Sequence, residues 1–181
     1  MKAIALVPGT TTLRLVERPE PAITQPDEVK LRVLQVGICG TDREEASGGR
    51  AEAPPGKTEL VIGHEMLGQV VEVGNAVSVV KPGDYAVLSV RRGCGHCPAC
   101  DTNRSDMCYS GDYTERGIKG RDGYQAEYIV DSEENLVKIP TEMATIGVLT
   151  EPMSVIEKAI DEALLIQAAR LPDANDPLHW L

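Results

Sequence analysis

The sequence predicts a mainly β fold with peripheral helices, and three observations carry that prediction. Short runs of alternating or β-branched residues occupy 2–7, 13–17, 28–38, 59–62, 66–73, 85–90, 124–130 and 136–139, the pattern of half-buried strands. Turn signals punctuate them, among them Pro8-Gly9, Pro82-Gly83-Asp84 and Asp122-Gly123. Helical spacing appears late, over 151–170, where Val155, Ile156, Ala159, Ile160, Ala163 and Leu164 recur at three- and four-residue steps. Pro152 stands near the first turn of that helix, where a missing N–H costs little. Many short strands with frequent turns make a barrel or a sandwich. The remaining 171–181, with Pro172, Asn175, Pro177 and Trp180, has the composition of a linker tail.

A chain of 181 residues with 42% hydrophobic content fits one domain with an appendage and can bury a real core. Phe is absent and aromatics make up 3%, so Val, Leu, Ile and Ala must fill that core. The net charge of −10 opposes phosphate backbones and anionic membranes, which excludes nucleic-acid binding as the expected function. No apolar run approaches a bilayer span, and a cytoplasmic setting is expected.

Cys94, Cys97, Cys100 and Cys108 follow the spacing C-x2-C-x2-C-x7-C, with Gly93, Gly95 and Pro98 supplying tight turns between them. The reading is a closed, structural four-thiolate zinc site in a lobe over about 93–117. Two disulfides are the first rival, but Cys39 is a fifth, separate cysteine and no signal-peptide pattern opens the sequence, so a reducing compartment is expected. An iron–sulfur centre is the second, yet the bacterial ferredoxin run closes with x3 and a proline rather than x7. His96 lies inside the cluster but four thiolates leave it nothing to ligate, so it reads as a solvated loop histidine.

A second set of metal-type side chains is dispersed: Cys39, His64, Glu65 and Glu151. Thiolate, imidazole and carboxylate together leave a zinc with an open position for water or substrate, the mark of a catalytic site. Singly, each has a plainer reading. Cys39 ends an apolar strand and suits a buried small hydrophobe, His64 and Glu65 suit a structural pair, and Glu151 suits a charge near a helix N-terminus.

In combination the motifs resemble a known family. Cys39-Gly-Thr-Asp, Gly63-His64-Glu65-Met66-Leu67-Gly68, Val73-Gly74, Lys81-Pro82-Gly83-Asp84 and the four-cysteine lobe follow the order seen in zinc-containing medium-chain alcohol dehydrogenases. Arg91-Arg92-Gly93-Cys94-Gly95, the stretch from Tyr113 through Ile118, and Glu151-Pro152-Met153-Ser154 are most similar to the glucose (aldose) 1-dehydrogenases among them. The resemblance implies a GroES-like, partly open β-barrel over 1–150 with the zinc lobe inserted, joined to a linking helix over 151–170. It also implies one structural zinc on the four cysteines and one catalytic zinc among Cys39, His64, Glu65 and Glu151.

The implied reaction oxidises an aldose such as D-glucose at C1 to the lactone, with hydride passing to NAD(P)⁺. Thr41 matches the hydroxyl that touches substrate and starts a proton relay, although a helix cap is its plainer reading. Glu115 matches a carboxylate that accepts sugar hydroxyls, with an exposed loop charge as the plainer reading. Two departures bear on the sugar: Val90 and Val155 stand where some sugar enzymes carry Asn and Asp.

No glycine-rich strand-turn-helix fingerprint of a dinucleotide-binding domain occurs. The expectation is therefore a catalytic domain alone, from an excised piece or a truncated gene product, inactive without its nucleotide-binding domain, with a homo-oligomer open to the full-length protein. The competing class is a zinc-stabilised binding or scaffold module derived from such an enzyme.

Overall fold

Val29, Leu31, Met66, Val70, Ala86 and Leu88 alternate inward along three strands and meet in the largest core cluster. In the computed structural model, which describes residues 1–170, eleven strands and three α-helices are present among the described residues. The strands are β1 (Lys2–Leu6), β2 (Leu13–Glu17), β3 (Glu28–Val36), β4 (Leu60–Val61), β5 (Met66–Val73), β6 (Tyr85–Leu88), β7 (Arg91–Arg92), β8 (Thr114–Arg116), β9 (Gly120–Arg121), β10 (Tyr128–Ser132) and β11 (Leu136–Ile139). The helices are α1 (Gly40–Ala46), α2 (Pro98–Asp101) and α3 (Thr150–Arg170). The tail expected at 171–181 lies outside the described residues.

Three sheets form, in the orders β2-β1-β4, β10-β3-β5-β6-β11 and β7-β8-β9, without a closed barrel. All pairings are antiparallel except β8 with β9. The β3–β5 register shifts twice, between Lys30 and Leu31 and between Val33 and Gln35, and such bulges bend and twist a strand. The mainly β expectation holds, and β2, β5 and β11 coincide with the predicted runs.

One run departs. The strand predicted over 124–130 begins only at Tyr128, because the preceding segment crosses between sheets. Its amides serve the β4 end of the molecule instead: Gly123 donates to Val61, Tyr124 to Gly63 and Gln125 to Ile62. Tyr124 is fully buried there and donates its hydroxyl to the Ser89 carbonyl at 2.9 Å.

The far face of the large sheet positions the last helix. Leu67, Val87 and Ile139 form a second cluster, against which Val148 of the 3₁₀ turn Gly147–Leu149 packs. A Cβ at Gly147 would stand 2.8 Å from Leu67 Cδ1, so only glycine lets this turn lie so close. α3 starts directly from the turn, with Thr150 Oγ1 donating to the Gly147 carbonyl at 2.8 Å. None of its residues is buried, and Ile156 and Ile160 lie exposed. No helix is long and apolar enough to cross a membrane among the described residues.

Candidate active site and metal centres

The open site is assembled at the point where β3 runs out. Past Val36, the Gly37 amide donates to the Glu65 carbonyl at 2.9 Å, which keeps the chain beside the link between β4 and β5. Cys39 then caps α1: Thr41 donates its amide to Cys39 Sγ at 3.3 Å, and Cys39 donates its own to Asp42 Oδ2 at 2.8 Å. This is a capping box with cysteine in the serine position. The cap role considered for Thr41 belongs to Cys39 and Asp42, and the Thr41 side chain lines a cleft instead.

The cap turns Cys39 Sγ to 3.1 Å from His64 Nε2. Cys39, His64 and Glu65 each place a donor atom within 4.8 Å of the other two. Space for the carboxylate comes from Gly37, where a Cβ would fall 2.0 Å from Glu65 Oε2. Gly37→Ala is therefore expected to drive Glu65 off this trio and weaken Co²⁺ binding there about tenfold. A cobalt titration followed at the thiolate absorption band checks this, with the four-cysteine lobe unaffected.

The chemistry of the donors fits zinc. Burial raises the Cys39 thiol above its ordinary value, outweighing the Asp42 and Thr41 contacts. Burial likewise raises Glu151, with His64 opposing and Glu65 and Asp42 reinforcing the shift. A divalent cation among these groups would reverse both shifts, since it favours every anionic form around it. His64 Nδ1 and Asp42 Oδ1 are both buried without a hydrogen-bond partner and stand 3.9 Å apart. Asp42 is thus placed behind the imidazole, as carboxylates behind metal-binding histidines are.

The trio opens into a cleft of about 1190 Å³. Thr41, Glu115 and Glu151 line it, as do Val90 and Val155. Glu151 reaches it from the first turn of α3 but is not a member of the close trio. Glu115 lies on β8, 7% exposed, which rules out the solvated loop charge. Its Oε1 accepts from Arg91 Nε at 3.1 Å and Nη2 at 2.7 Å, and its Oε2 accepts from Arg50 Nη2 at 3.3 Å. Arg91 thus chelates one carboxylate oxygen and Arg50 holds the other, so the two guanidinium groups together orient the carboxylate with charge-assisted hydrogen bonds.

The four-cysteine lobe forms separately. Cys97 Sγ lies 3.6 Å from Cys100 Sγ and 3.9 Å from Cys108 Sγ, and Cys94 Sγ lies 3.9 Å from Cys100 Sγ. A tetrahedron with Zn–S bonds of about 2.3 Å has edges of about 3.8 Å, so these separations already suit a bound zinc. All five cysteines are free, against the disulfide reading. The Ser110 hydroxyl and then the His96 amide lower Cys94 to about 6, while Cys100, although the Gly95 amide lowers it, is raised to about 11 by burial and the neighbouring sulfurs, so the crowded thiols share their protons until a cation displaces them. The His96 side chain is exposed, with Nδ1 2.9 Å from the Cys94 carbonyl oxygen, as a loop histidine.

Several contributors escaped the sequence reading. Arg50 and Arg91 as the Glu115 clamp, Asp42 behind His64 and Gly37 as the space for Glu65 all depend on tertiary approach. Only Asp42 left a local trace, as an acidic residue three positions after a capping side chain.

The family model described as alcohol dehydrogenase GroES-like domain matches residues 25–141. A glucose 1-dehydrogenase of Methanocella arvoryzae is 48% identical over 171 residues, which are 92% of this chain and 47% of that protein. Glucose 1-dehydrogenase 1 of Caldivirga maquilingensis is 43% identical, again over 94% of this chain and 47% of its own length. Among solved structures, a Haloferax mediterranei glucose dehydrogenase in complex with NADP, Zn and gluconolactone superposes with a TM-score of 0.84 at 38% identity. That alignment covers 93% of this chain and 47% of the other. The chain spans about half the length of the relatives it matches. With more than half of its residues under the family model, the chain belongs to the alcohol dehydrogenase GroES-like domain family.

Proposed function

We propose that this chain is the metal- and substrate-binding half of a zinc-dependent, NAD(P)-linked dehydrogenase that oxidises an aldose such as glucose at C1 to the lactone. One observation carries the reading: the Cys39, His64 and Glu65 trio opens onto the same cleft as Thr41, Glu115 and Glu151. The glucose 1-dehydrogenases at 48% and 43% identity support it, as does the relative whose complex contains NADP, Zn and gluconolactone. In this reading residues 1–150 together with Glu151 carry the chemistry, and the helix over 151–170 connects them to a nucleotide-binding domain in the full-length protein.

Cys39, His64 and Glu65 would hold the zinc, which would supply a Lewis acid that lowers the pKa of the sugar's C1 hydroxyl. Thr41 takes up that proton at its Oγ1 and passes its own on toward solvent. A bound NAD(P)⁺ would supply the two-electron acceptor for the hydride leaving C1. Glu151 lines the cleft beside the trio and would be the exchangeable carboxylate there, giving way to substrate or water. Glu115, held at one oxygen by Arg91 and at the other by Arg50, accepts hydrogen bonds from ring hydroxyls and discriminates against substrates that lack them. Val90 and Val155 present methyl groups to the same cleft and favour ring faces over further hydroxyl contacts.

The test joins this chain to the C-terminal half of the Methanocella arvoryzae relative. The fusion is expected to reduce NADP⁺ in the presence of glucose, and Glu115→Gln should lower kcat/KM by about 10- to 100-fold. A zinc-replete fusion that reduces cofactor with no aldose or polyol would refute the reading.

A further inference from the structure

We infer that Asp106 is a positioning residue that couples the four-cysteine lobe to the open site by holding α3, and with it Glu151, through Lys158. Asp106 sits in the 3₁₀ turn Ser105–Met107, between the third and fourth cysteines of the lobe. Its Oδ2 lies 2.9 Å from Lys158 Nζ. Both Asp106 oxygens accept from Arg104 at 3.1 Å, and Arg104 Nη2 continues to Glu162 Oε1 at 3.0 Å. Lys158 and Glu162 are one helical turn apart, so the lobe grips a single face of α3 at two successive points.

That grip matters because the helix has little else. No residue of α3 is buried, and its first turn rests on the Gly147 turn through Thr150. Glu151 lies seven residues before Lys158, two turns along the same face and about 10 Å away. A helix transmits tilt as a rigid rod, so releasing the Lys158 end lets it swing about its Thr150 anchor and turns the Glu151 side chain relative to the trio. Glu151, Lys158, Asp106 and Cys39 also line one cleft. The lobe has a second tie to the site, because the Asp106 carbonyl accepts from Arg91 Nη1 at 3.0 Å and Arg91 is the Glu115 clamp. The four thiolates therefore anchor a bracket that reaches both cleft carboxylates.

This inference rests on the proposed placement of Glu151 at the metal, and one set of variants separates the two. The chain is titrated with Co²⁺ at the Cys39, His64 and Glu65 site, with zinc held by the lobe. Asp106→Ala is expected to weaken cobalt binding about threefold, the scale of partly exposed ion pairs. Lys158→Met, which leaves the lobe sequence intact, should give the same loss, and 1 M salt should abolish the difference from wild type. In a Glu151→Gln background, Asp106→Ala should have no further effect. A Glu151→Gln effect without an Asp106→Ala effect overturns the coupling alone, as do losses that simply add. Unchanged cobalt affinity in Glu151→Gln overturns the placement of Glu151 and the coupling with it.

Discussion

Glu45→Met is expected to raise the melting temperature at pH 8 by about 10 °C, the response of a domain this size to some 4 kcal/mol. Glu45 is 0% exposed on the inner face of α1, and neither of its carboxylate oxygens has a hydrogen-bond partner. Burial drives its pKa from the ordinary 4.5 up to about 8, with Asp42 adding to the shift and Arg50 opposing it. The folded chain thus keeps a proton to about pH 8 that the unfolded chain releases near 4.5. Between those values the unfolded state binds fewer protons, so stability falls as pH rises through the window. The slope is about 1.4 kcal/mol per pH unit, which sums to the order of 4 kcal/mol. Methionine removes the carboxyl at nearly constant volume, and Glu45→Gln separates charge from packing by flattening the slope while keeping an amide. Thermal melts at intervals from pH 5 to pH 9 decide it, and a Glu45→Gln profile parallel to wild type would contradict the buried, proton-holding carboxyl.

Cys97→Ser is expected to empty the lobe of metal and unfold it while the large sheet survives. Cys97 is buried and has two of the three close sulfur approaches in the cluster. The lobe offers little apolar packing of its own: α2 and the Ser105–Met107 turn contain no buried residue. Metal binding, worth about 10 kcal/mol or more in such small sites, is then its main source of order. The core clusters draw on β1, β3, β4, β5, β6, β10 and β11, none of which belongs to the lobe. Limited proteolysis should therefore cut Cys97→Ser within 93–117 and leave the rest resistant. Cleavage spread evenly over the chain would show that the lobe metal holds the whole fold.

Strand content was legible because alternation reports burial directly, as at the start of β3, where Val29 and Leu31 are buried and Glu28 and Lys30 are not; β5 was legible as a short apolar run instead, because Met66 faces one core cluster and Leu67 the other. The strands β7, β8 and β9 were not legible, since two or three residues such as Arg91–Arg92 carry no periodicity. Helix α1 was missed for a different reason. Its apolar content is a single alanine, and the run Asp42-Arg43-Glu44-Glu45 reads as a solvated face although Asp42 and Glu45 are buried. The same residues explain the limits of reading the site. Ligand type suggested Cys39, His64 and Glu65, but their convergence is created by the Cys39 cap and the room at Gly37, which no spacing rule encodes. Glu115 carried no local mark of its clamp, because Arg50 and Arg91 lie 65 and 24 residues away.

Metal content tests the central claim most directly, namely that this chain carries a closed structural site and a separate open site for chemistry. Zinc per chain is measured by elemental analysis on wild type, His64→Ala and Cys97→Ser. Two zinc ions are expected in wild type and one in each variant, with His64→Ala keeping the lobe zinc and Cys97→Ser keeping the open-site zinc. A single zinc in wild type that His64→Ala leaves in place, or iron in place of zinc, would contradict it.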